Sequence, residues 1–334
     1  MITLNAQKLA RKLITLLTSH LSPLTSQIPN IFHSQSSILN ISAMRIKISA
    51  LTDAGKERDN NEDSLLFCPD LGQQQWQTQH TDDYAPLSTL GALLIVADGM
   101  GGANAGEVAS SLAVEAVKDY FQPSRIQAAI SQDLVPELLQ RVVVTADDAV
   151  NQRISRDPST EGMGTTIVLC WMHGDSAHLA WCGDSRGYAY NPVTGLRRLT
   201  TDHSYVQELI QSGELTEEEA FKHPENNIIT RGLGDFQATP AADIVEHQLQ
   251  PNDILMLCSD GLCGYCSDHD IEQVIHDTYT DADLCAQQLM QLALDAGGCD
   301  NIAITVASLI GDDDEAPSQP MFAPLKRFFN RLMK

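Results

Sequence analysis

The stretch that decides the fold is LLIVADGMGG, residues 93–102. Residues 93–97 are apolar without a break, and a carboxylate, Asp98, follows them at the start of a glycine-rich turn. A short apolar run bounded by turn residues is typical of a buried strand. The glycines let the main chain approach a ligand closely, and an acid beside bare backbone suits a hard cation bound by carboxylate and carbonyl oxygens. This stretch alone leaves open a plain strand-to-turn connection.

Carboxylates occur in the same setting, next to a strand-like apolar run, at four further places. They are Glu62 and Asp63 in GKERDNNEDS, Asp184 in CGDSRGY, Asp260 in CSDGL and Asp300 in CDNIAI. Carboxylates held close together are unfavourable unless a positive charge neutralises them. A pair of divalent cations would do so, and ligands that are all oxygen favour Mg²⁺ or Mn²⁺.

The composition limits the classes of partner. The 334 residues include 44 acidic and 21 basic side chains, for a net charge of −23, and 43% of them are hydrophobic. This balance argues against non-specific binding of nucleic acid, whose phosphates repel an acidic protein. It is compatible with clustered carboxylates that bind divalent cations.

The cysteines favour a reducing compartment. Most of the eight lie within apolar runs, where a free cysteine behaves as a small hydrophobic residue. Cys263 and Cys266 form one CxxC, but the sequence offers no second CxxC or histidine pair to complete a zinc site. We therefore predict a cytoplasmic protein. No apolar run approaches the twenty residues or so that a membrane-spanning helix needs.

The chain divides into three parts. Residues 1–43 are predicted to be an extension that is amphipathic or disordered. Residues 44–310 group strand-like runs into hairpins and follow them with long helices, a pattern that indicates an α+β fold with helices on antiparallel sheets. A polar segment at about 200–235 resembles an insertion beside a working face. Residues 311–334 are an acidic linker and a basic amphipathic tail, of which 321–334 could dock on an anionic membrane, on a partner or on this domain.

Taken together, these motifs resemble the metal-dependent serine/threonine protein phosphatase family of type 2C, in its bacterial form. The resemblance covers about residues 46–309, in the family's order. It is carried by GKERDNNEDS, VADGMGGANAGEVAS, GMGTT, CGDSRGY, TDHSYVQELIQSGELTEEEA, HPENNIITRGLG, CSDGL and CDNIAI. It implies a four-layer α-β-β-α sandwich of two antiparallel sheets flanked by helices, with the segment at 200–235 as a flap.

The resemblance also implies a centre of two Mn²⁺ or Mg²⁺ ions and allows a third, weaker one. Asp98 would bridge the two ions, and Gly99 would contribute its carbonyl oxygen. The other ligands would be Asp260 and Asp300 at the first ion, Glu62 and Asp63 at the second, directly or through water, and Asp184 at the third. Arg58 would bind the substrate phosphate.

The chemistry follows from these groups. A phosphate monoester hydrolyses extremely slowly in water, and a water or hydroxide shared by two cations is a strong nucleophile at neutral pH. Arg58 can hold the phosphoryl oxygens in a bidentate fork, although pairing with Glu62 is its alternative role. The family's eukaryotic members carry a histidine, a candidate general acid, where this chain has Met100. His203 and His223 are weaker candidates for a proton donor.

The leading interpretation is an enzyme that hydrolyses phosphoserine and phosphothreonine on proteins and reverses a cognate kinase. A catalytically silent domain that binds phosphoproteins is the alternative, and the intact set of acids argues against it. The net charge weakens a third interpretation, a two-metal nuclease. In the flap, Arg231 is predicted to anchor the segment to the core, with contact to an acidic or phosphorylated substrate as its alternative role.

Overall fold

The structure is a computed structural model. It describes residues 44–101, 105–236 and 240–311. The predicted extension at 1–43 and the tail beyond Gly311 lie outside the described residues, as does Gly102 of the glycine turn. Those predictions therefore stay predictions.

The described residues form fourteen strands, eight α-helices and one 3₁₀-helix, Pro158–Thr160. The strands are β1 Met44–Asp53, β2 Ser64–Cys68, β3 Ala85–Pro86, β4 Ala92–Ala97, β5 Gly99–Met100, β6 Gly164–Thr165, β7 Ile167–His173, β8 Ser176–Cys182, β9 Arg186–Asn191, β10 Gly195–Arg198, β11 Leu233–Gly234, β12 Asp243–Gln248, β13 Ile254–Cys258 and β14 Ile302–Gly311. The helices are α1 Ala105–Tyr120, α2 Pro123–Gln132, α3 Val135–Arg156, α4 Tyr205–Ser212, α5 Glu217–Phe221, α6 Asp260–Cys263, α7 Asp268–Thr278 and α8 Ala282–Asp295.

Two antiparallel sheets make the centre of the fold. One has six strands in the order β10-β9-β13-β14-β1-β3, and the other has five in the order β12-β8-β7-β4-β2. A small third sheet, β11-β6-β5, joins the glycine turn after β4 to the end of the flap. Its pairs are Gly99 with Thr165 and Leu233 with Thr165, so the backbone beside Asp98 is held by two other parts of the chain.

Three apolar cores separate four layers. The first lies between α1–α3 and the five-stranded sheet, the second between the two sheets, and the third between the six-stranded sheet and α6–α8. Along β4, Leu93 and Ile95 belong to the first core, whereas Leu94 and Val96 belong to the second. The strand is buried on both faces, which explains why its sequence is an unbroken apolar run. The α-β-β-α sandwich expected from the sequence is confirmed.

The sequence patterns missed several elements. The predicted long helices and core strands are present, but α2, α5, β10 and β12 were not foreseen. Pro123 at the first turn of α2 was a usable start signal. At α5, Thr216 and Glu219 form a reciprocal capping box that the sequence TEEE already contains. The edge strand β12 is only partly buried and therefore carries a weak apolar alternation. None of the described helices is both long enough and apolar enough to cross a bilayer.

The core between the sheets yields a stability prediction. Leu94→Ala removes a fully buried side chain from this core, so the free energy of unfolding should fall by about 2–5 kcal/mol in a denaturant titration. Val193→Ala is the control, because Val193 is 89% exposed in a turn and its truncation should change stability by less than about 0.5 kcal/mol. Equal effects from the two substitutions would contradict the assigned core.

Candidate metal centre

The sheets bring the predicted acids to one edge of the molecule. Asp98 directly follows β4, and Asp63 directly precedes its antiparallel partner β2, where Ser64 pairs with Ala97. In the other sheet, Asp260 comes two residues after β13, and Asp300 two residues before its antiparallel partner β14. Antiparallel neighbours place the end of one strand beside the start of the next, so acids far apart in sequence become neighbours in space.

The carboxyl groups are buried and lie close enough to raise one another's pKa. Burial and the nearby charges of Asp260 and Asp300 raise the pKa of Asp63 to about 8. Burial, followed by the charge of Asp300, raises the pKa of Asp260 to about 6. Burial and the charges of Asp63 and Asp260 raise the pKa of Asp98 well above its ordinary value. Burial, followed by the charge of Asp260, also raises the pKa of Asp184 well above its ordinary value.

Asp63 carries a distinctive oxygen. Its Oδ2 accepts a hydrogen bond of 2.6 Å from Ser259 Oγ, whereas its Oδ1 is buried and has no hydrogen-bond partner. A buried polar atom without a partner is costly, and native proteins rarely contain one unless a ligand or water satisfies it. This oxygen is therefore suited to coordinating a cation.

Glu62 lies against the glycines. Its carboxylate Oε2 stands only 2.5 Å from the position that a Cβ on Gly106 would occupy, and its carbonyl oxygen is 2.6 Å from the Cβ position of Gly99. Side chains at either glycine would displace Glu62, so these glycines permit close approach of backbone and acid. Burial raises the pKa of Glu62, with partial compensation from Arg58.

Arg58 pairs with Asp300. Its Nη2 lies 2.7 Å from Asp300 Oδ2, and this hydrogen bond raises the pKa of Arg58. The alternative role expected from spacing, an ion pair with Glu62, is not the pairing observed. The guanidinium side chain remains 55% exposed. It therefore combines a fixed position beside the acids with access to a ligand.

The acids of the described residues are not arranged as a complete set of metal ligands. Among the described residues, no three Asp, Glu, His or Cys side chains stand together as a complete metal site. Arg58 binds an oxygen of Asp300 at 2.7 Å, and Asp98 and Asp260 lie close enough to affect each other's pKa. The donor set consists of carboxylate oxygens, includes the unpartnered oxygen of Asp63, and suits a hard divalent cation.

Sequence reasoning missed the residues that hold the acids in place. Thr166 N–H donates to the carbonyl of Asp98 at 2.8 Å, and Asp98 N–H donates to Thr166 Oγ1 at 3.0 Å. Thr165 Oγ1 donates to the same carbonyl at 2.8 Å. These threonines belong to GMGTT, a motif for which the sequence suggested no physical task.

Asn301 joins two of the acid-bearing loops. Its Oδ1 accepts the Glu62 N–H at 2.8 Å, and its Nδ2 donates to the carbonyls of Ala54 at 3.0 Å and Asn60 at 2.8 Å. The Asn301 N–H donates to Asp300 Oδ1 at 2.8 Å. The residue after the predicted ligand is thus the connection between the Glu62 loop and Asp300.

The flap is fastened at both ends by Asp243. Arg231 donates to the Asp243 carboxylate at 3.1 and 3.4 Å, and His203 Nε2 lies 3.3 Å from it. Arg231 therefore has the anchoring role that we favoured. His203 Nδ1 accepts the Gly183 N–H at 3.0 Å, whereas its Nε2 is buried and makes no hydrogen bond beside the Asp243 carboxylate. His223 accepts an N–H within its own turn at 3.2 Å.

The CxxC pair lies in the apolar core between the six-stranded sheet and its helices. Cys263 and Cys266 are free and buried there. Burial raises the pKa of the Cys266 thiol to about 12, which disfavours the thiolate that metal binding or redox chemistry requires.

The connection through Asn301 can be tested by stability. Asn301→Ala should lower the free energy of unfolding by about 1–3 kcal/mol, because the buried Glu62 N–H and two loop carbonyls lose their partner. Asn227→Ala, at an exposed flap position, is the matched control and should change stability by less than about 0.5 kcal/mol. Chemical denaturation measures both, and an unchanged value for Asn301→Ala would show that water replaces the side chain without loss.

Known proteins are similar to this chain in sequence. The serine/threonine protein phosphatase PstP of Mycobacterium tuberculosis is 34% identical over 280 residues, which make up 83% of this chain but only 48% of PstP. The chain therefore spans about half the length of that relative. The serine/threonine phosphatase stp of Listeria innocua is 33% identical over 254 residues, covering 76% of this chain and 92% of stp.

Solved structures agree. The catalytic domain of PstP, crystallised in complex with two manganese ions, superimposes with a TM-score of 0.62 at 29% identity, covering 80% of this chain and 99% of that one. The sequence model of the family described as protein phosphatase 2C matches residues 51–302. The chain belongs to the protein phosphatase 2C family.

Proposed function

We propose that this protein hydrolyses phosphoserine and phosphothreonine on other proteins, using divalent metal ions. One observation carries the proposal: the predicted acids lie at the ends of paired strands, and among them Asp63 has a buried Oδ1 without a hydrogen-bond partner, in a chain whose relatives are named serine/threonine phosphatases. Such a cluster is suited to holding cations that neutralise its repulsion.

We keep the metal-ligand roles that the sequence resemblance implies. Asp98 would bridge two ions with help from the Gly99 carbonyl. The remaining ligands would be Asp260 and Asp300 at one ion, Glu62 and Asp63 at the other, and Asp184 with Asp260 at a third, weaker ion. Either Mn²⁺ or Mg²⁺ suits these oxygen donors, and a relative's structure contains manganese. When bound, the ions polarise the phosphoryl group and activate a water molecule for in-line attack.

Arg58 would orient the phosphate. Its guanidinium is exposed on one side and held by Asp300 on the other, so it can turn its free N–H groups toward phosphoryl oxygens. These hydrogen bonds would orient the phosphorus atom for attack and offset the negative charge of the phosphoryl oxygens. Solvent would return the proton to the leaving alkoxide, because the Met100 side chain has no proton to donate and His203 is buried with its Nδ1 bound to the Gly183 N–H.

The wider context follows from this activity. We propose a cytoplasmic enzyme with phosphorylated protein substrates and a cognate serine/threonine kinase. The basic, amphipathic sequence at 321–334 supports docking on an anionic membrane or a partner, or on the acidic domain itself. A catalytically silent phosphoprotein-binding domain remains the alternative function, and the test below separates it from the enzyme.

The metal-dependent activity is tested with p-nitrophenyl phosphate. The wild type should turn it over with added Mn²⁺ and lose activity in chelator, while Asp98→Asn should lose more than about a hundredfold in kcat because a ligand of both ions is weakened. Asp119→Asn, at an exposed position on α1, is the control and should keep full activity.

Metal binding also has a readout that does not depend on catalysis. At a hundredfold excess over its Kd, Mn²⁺ should stabilise the wild type by about 2.7 kcal/mol, seen as a rise in Tm that is smaller in Asp98→Asn. A rise in Tm without turnover would identify the silent alternative. The absence of both would contradict the proposed function.

Arg58 gives a second test of the mechanism. Arg58→Ala should lower kcat/KM for p-nitrophenyl phosphate by roughly 10- to 100-fold and weaken inhibition by inorganic phosphate, because charge-assisted hydrogen bonds to phosphate are lost. Arg58→Lys should be intermediate, since it keeps the charge without the fork. If Arg58 only supports Asp300, Mn²⁺ affinity will fall while the inhibition constant of phosphate stays unchanged.

A further inference from the structure

A cleft of about 370 Å³ opens beside the candidate metal centre. Asp184 and Asp260 form one part of its wall, and the flap forms another through α4 and α5. Residues 263–268, between α6 and α7, close the remaining side. The cleft therefore begins at the reaction centre and continues away from it under the flap.

The charge of this cleft is predominantly negative. Outside the candidate metal centre, it is lined by two arginines and four acids: Arg186, Arg198, Asp202, Glu217, Glu218 and Asp268. The deeper arginine is fully engaged. Arg186 binds Asp202 through Nε at 3.0 Å and Nη2 at 2.7 Å, and its Nη1 lies 3.6 Å from Asp268. It is therefore held by the protein's own carboxylates and is not free to bind an anion.

The acids at the flap rim are more available. Glu217 and Glu218 are 72% and 81% exposed. Glu218 pairs with the exposed Lys222 at 2.7 Å, and an exposed pair of this kind is weak and exchanges readily for another cation. Glu217 pairs at the longer distance of 3.4 Å with Arg198, whose side chain is 20% exposed. A positively charged ligand group in the cleft would thus meet accessible carboxylates.

Two aromatic side chains complete the lining. Phe221 at the end of α5 and Tyr265 after α6 both border the cleft, and both remain more than a third exposed. Large exposed apolar side chains are costly in water and are common where a ligand packs. Aromatic faces next to carboxylates are the combination that binds the stem and the cationic head of arginine or lysine.

Tyr265 connects this lining to the reaction centre. It lines the cleft together with Asp184 and Asp260 of the candidate metal centre. A polypeptide whose phosphoserine lies at that centre can therefore place a neighbouring side chain under the flap.

We infer that the cleft between the flap and Tyr265 is a specificity subsite for an arginine or lysine side chain of the phosphoprotein substrate, near its phosphoserine. The inference rests on the proposed function and names its substrate class. The aromatic faces pack on the aliphatic stem, and Glu217, Glu218 and Asp268 face the charged head. An acidic side chain at the same place is repelled.

The first test compares phosphoserine peptides that carry arginine, alanine or glutamate at each of the three positions on either side of the phosphoserine. With the wild type, one or more positions should give a kcat/KM that is about fivefold to thirtyfold higher for arginine than for alanine, and lowest for glutamate. Equal values for the three series, or a preference for glutamate, would overturn the inference. Turnover of p-nitrophenyl phosphate, which has no flanking residues, reports separately on the proposed function.

The second test assigns the preference to the cleft. In the double variant Glu217→Gln and Glu218→Gln, the arginine-to-alanine ratio of kcat/KM should fall about threefold or more, and Phe221→Ala should also lower it. The matched controls are Glu225→Gln and Ile228→Ala, which alter exposed flap residues outside the cleft and should keep the wild-type ratio. A wild-type ratio in the cleft variants would overturn the assignment.

A binding measurement covers the case in which turnover fails altogether. Fluorescence anisotropy with labelled peptides and the Asp98→Asn protein in Mn²⁺ should show at least about threefold tighter binding of the arginine peptide than of the glutamate peptide. Equal binding would reject the subsite, whatever the fate of the proposed activity.

Discussion

Carboxylates that share one buried volume raise each other's pKa, and the surrounding scaffold must hold them against that repulsion. Asp63 illustrates the effect, since burial and its acidic neighbours raise its pKa to about 8 while Ser259 supplies a single compensating hydrogen bond. Acids in this situation relax toward protonation, mutual hydrogen bonding or pairing with a nearby cation. The pairing of Arg58 with Asp300 is one such relaxation. Binding of the divalent cations that we propose would remove the same repulsion.

The double sheet supplies the rigidity that this arrangement requires. Every residue of β4 is buried, half of its side chains toward the helices and half toward the other sheet, so the strand that delivers Asp98 cannot shift without opening two cores. The backbone beyond it is fixed as well, because Gly99 pairs with Thr165 and the Asp98 carbonyl accepts from both Thr165 and Thr166. The acids are therefore positioned by the apolar packing of the strands and by threonines that carry no charge.

The local sequence pattern predicted the acidic residues but not the residues that hold them in position. A carboxylate at the end of an apolar run is visible within a few residues, and for this reason Asp98, Asp260 and Asp300 could be singled out from the sequence. The tasks of Asn301 and Ser259 depend on partners that lie 239 and 196 residues away along the chain, and no local pattern encodes such contacts. The same limit explains why Arg58 was compared with its neighbour Glu62, when the fold brings Asp300 to it.

The flap is attached at its two ends, whereas the residues that it presents to the cleft are exposed. Burial raises the pKa of Asp243, but hydrogen bonds from Arg231 and the nearby His203 ring lower it overall, so this carboxylate is held ionised between the two ends of the flap.

Arg186 and Asp202 form a second, half-buried attachment beside it, at 2.7 Å. Toward the cleft, in contrast, the flap presents exposed acids and Phe221, whose replacement disturbs neither attachment. The residues at the two ends of the flap, His203 and Arg231, therefore hold its position, whereas the rim residues Glu217, Glu218 and Phe221 would set which side chain the proposed subsite accepts. Because the two sets do not overlap, the rim could change without moving the acids of the candidate metal centre.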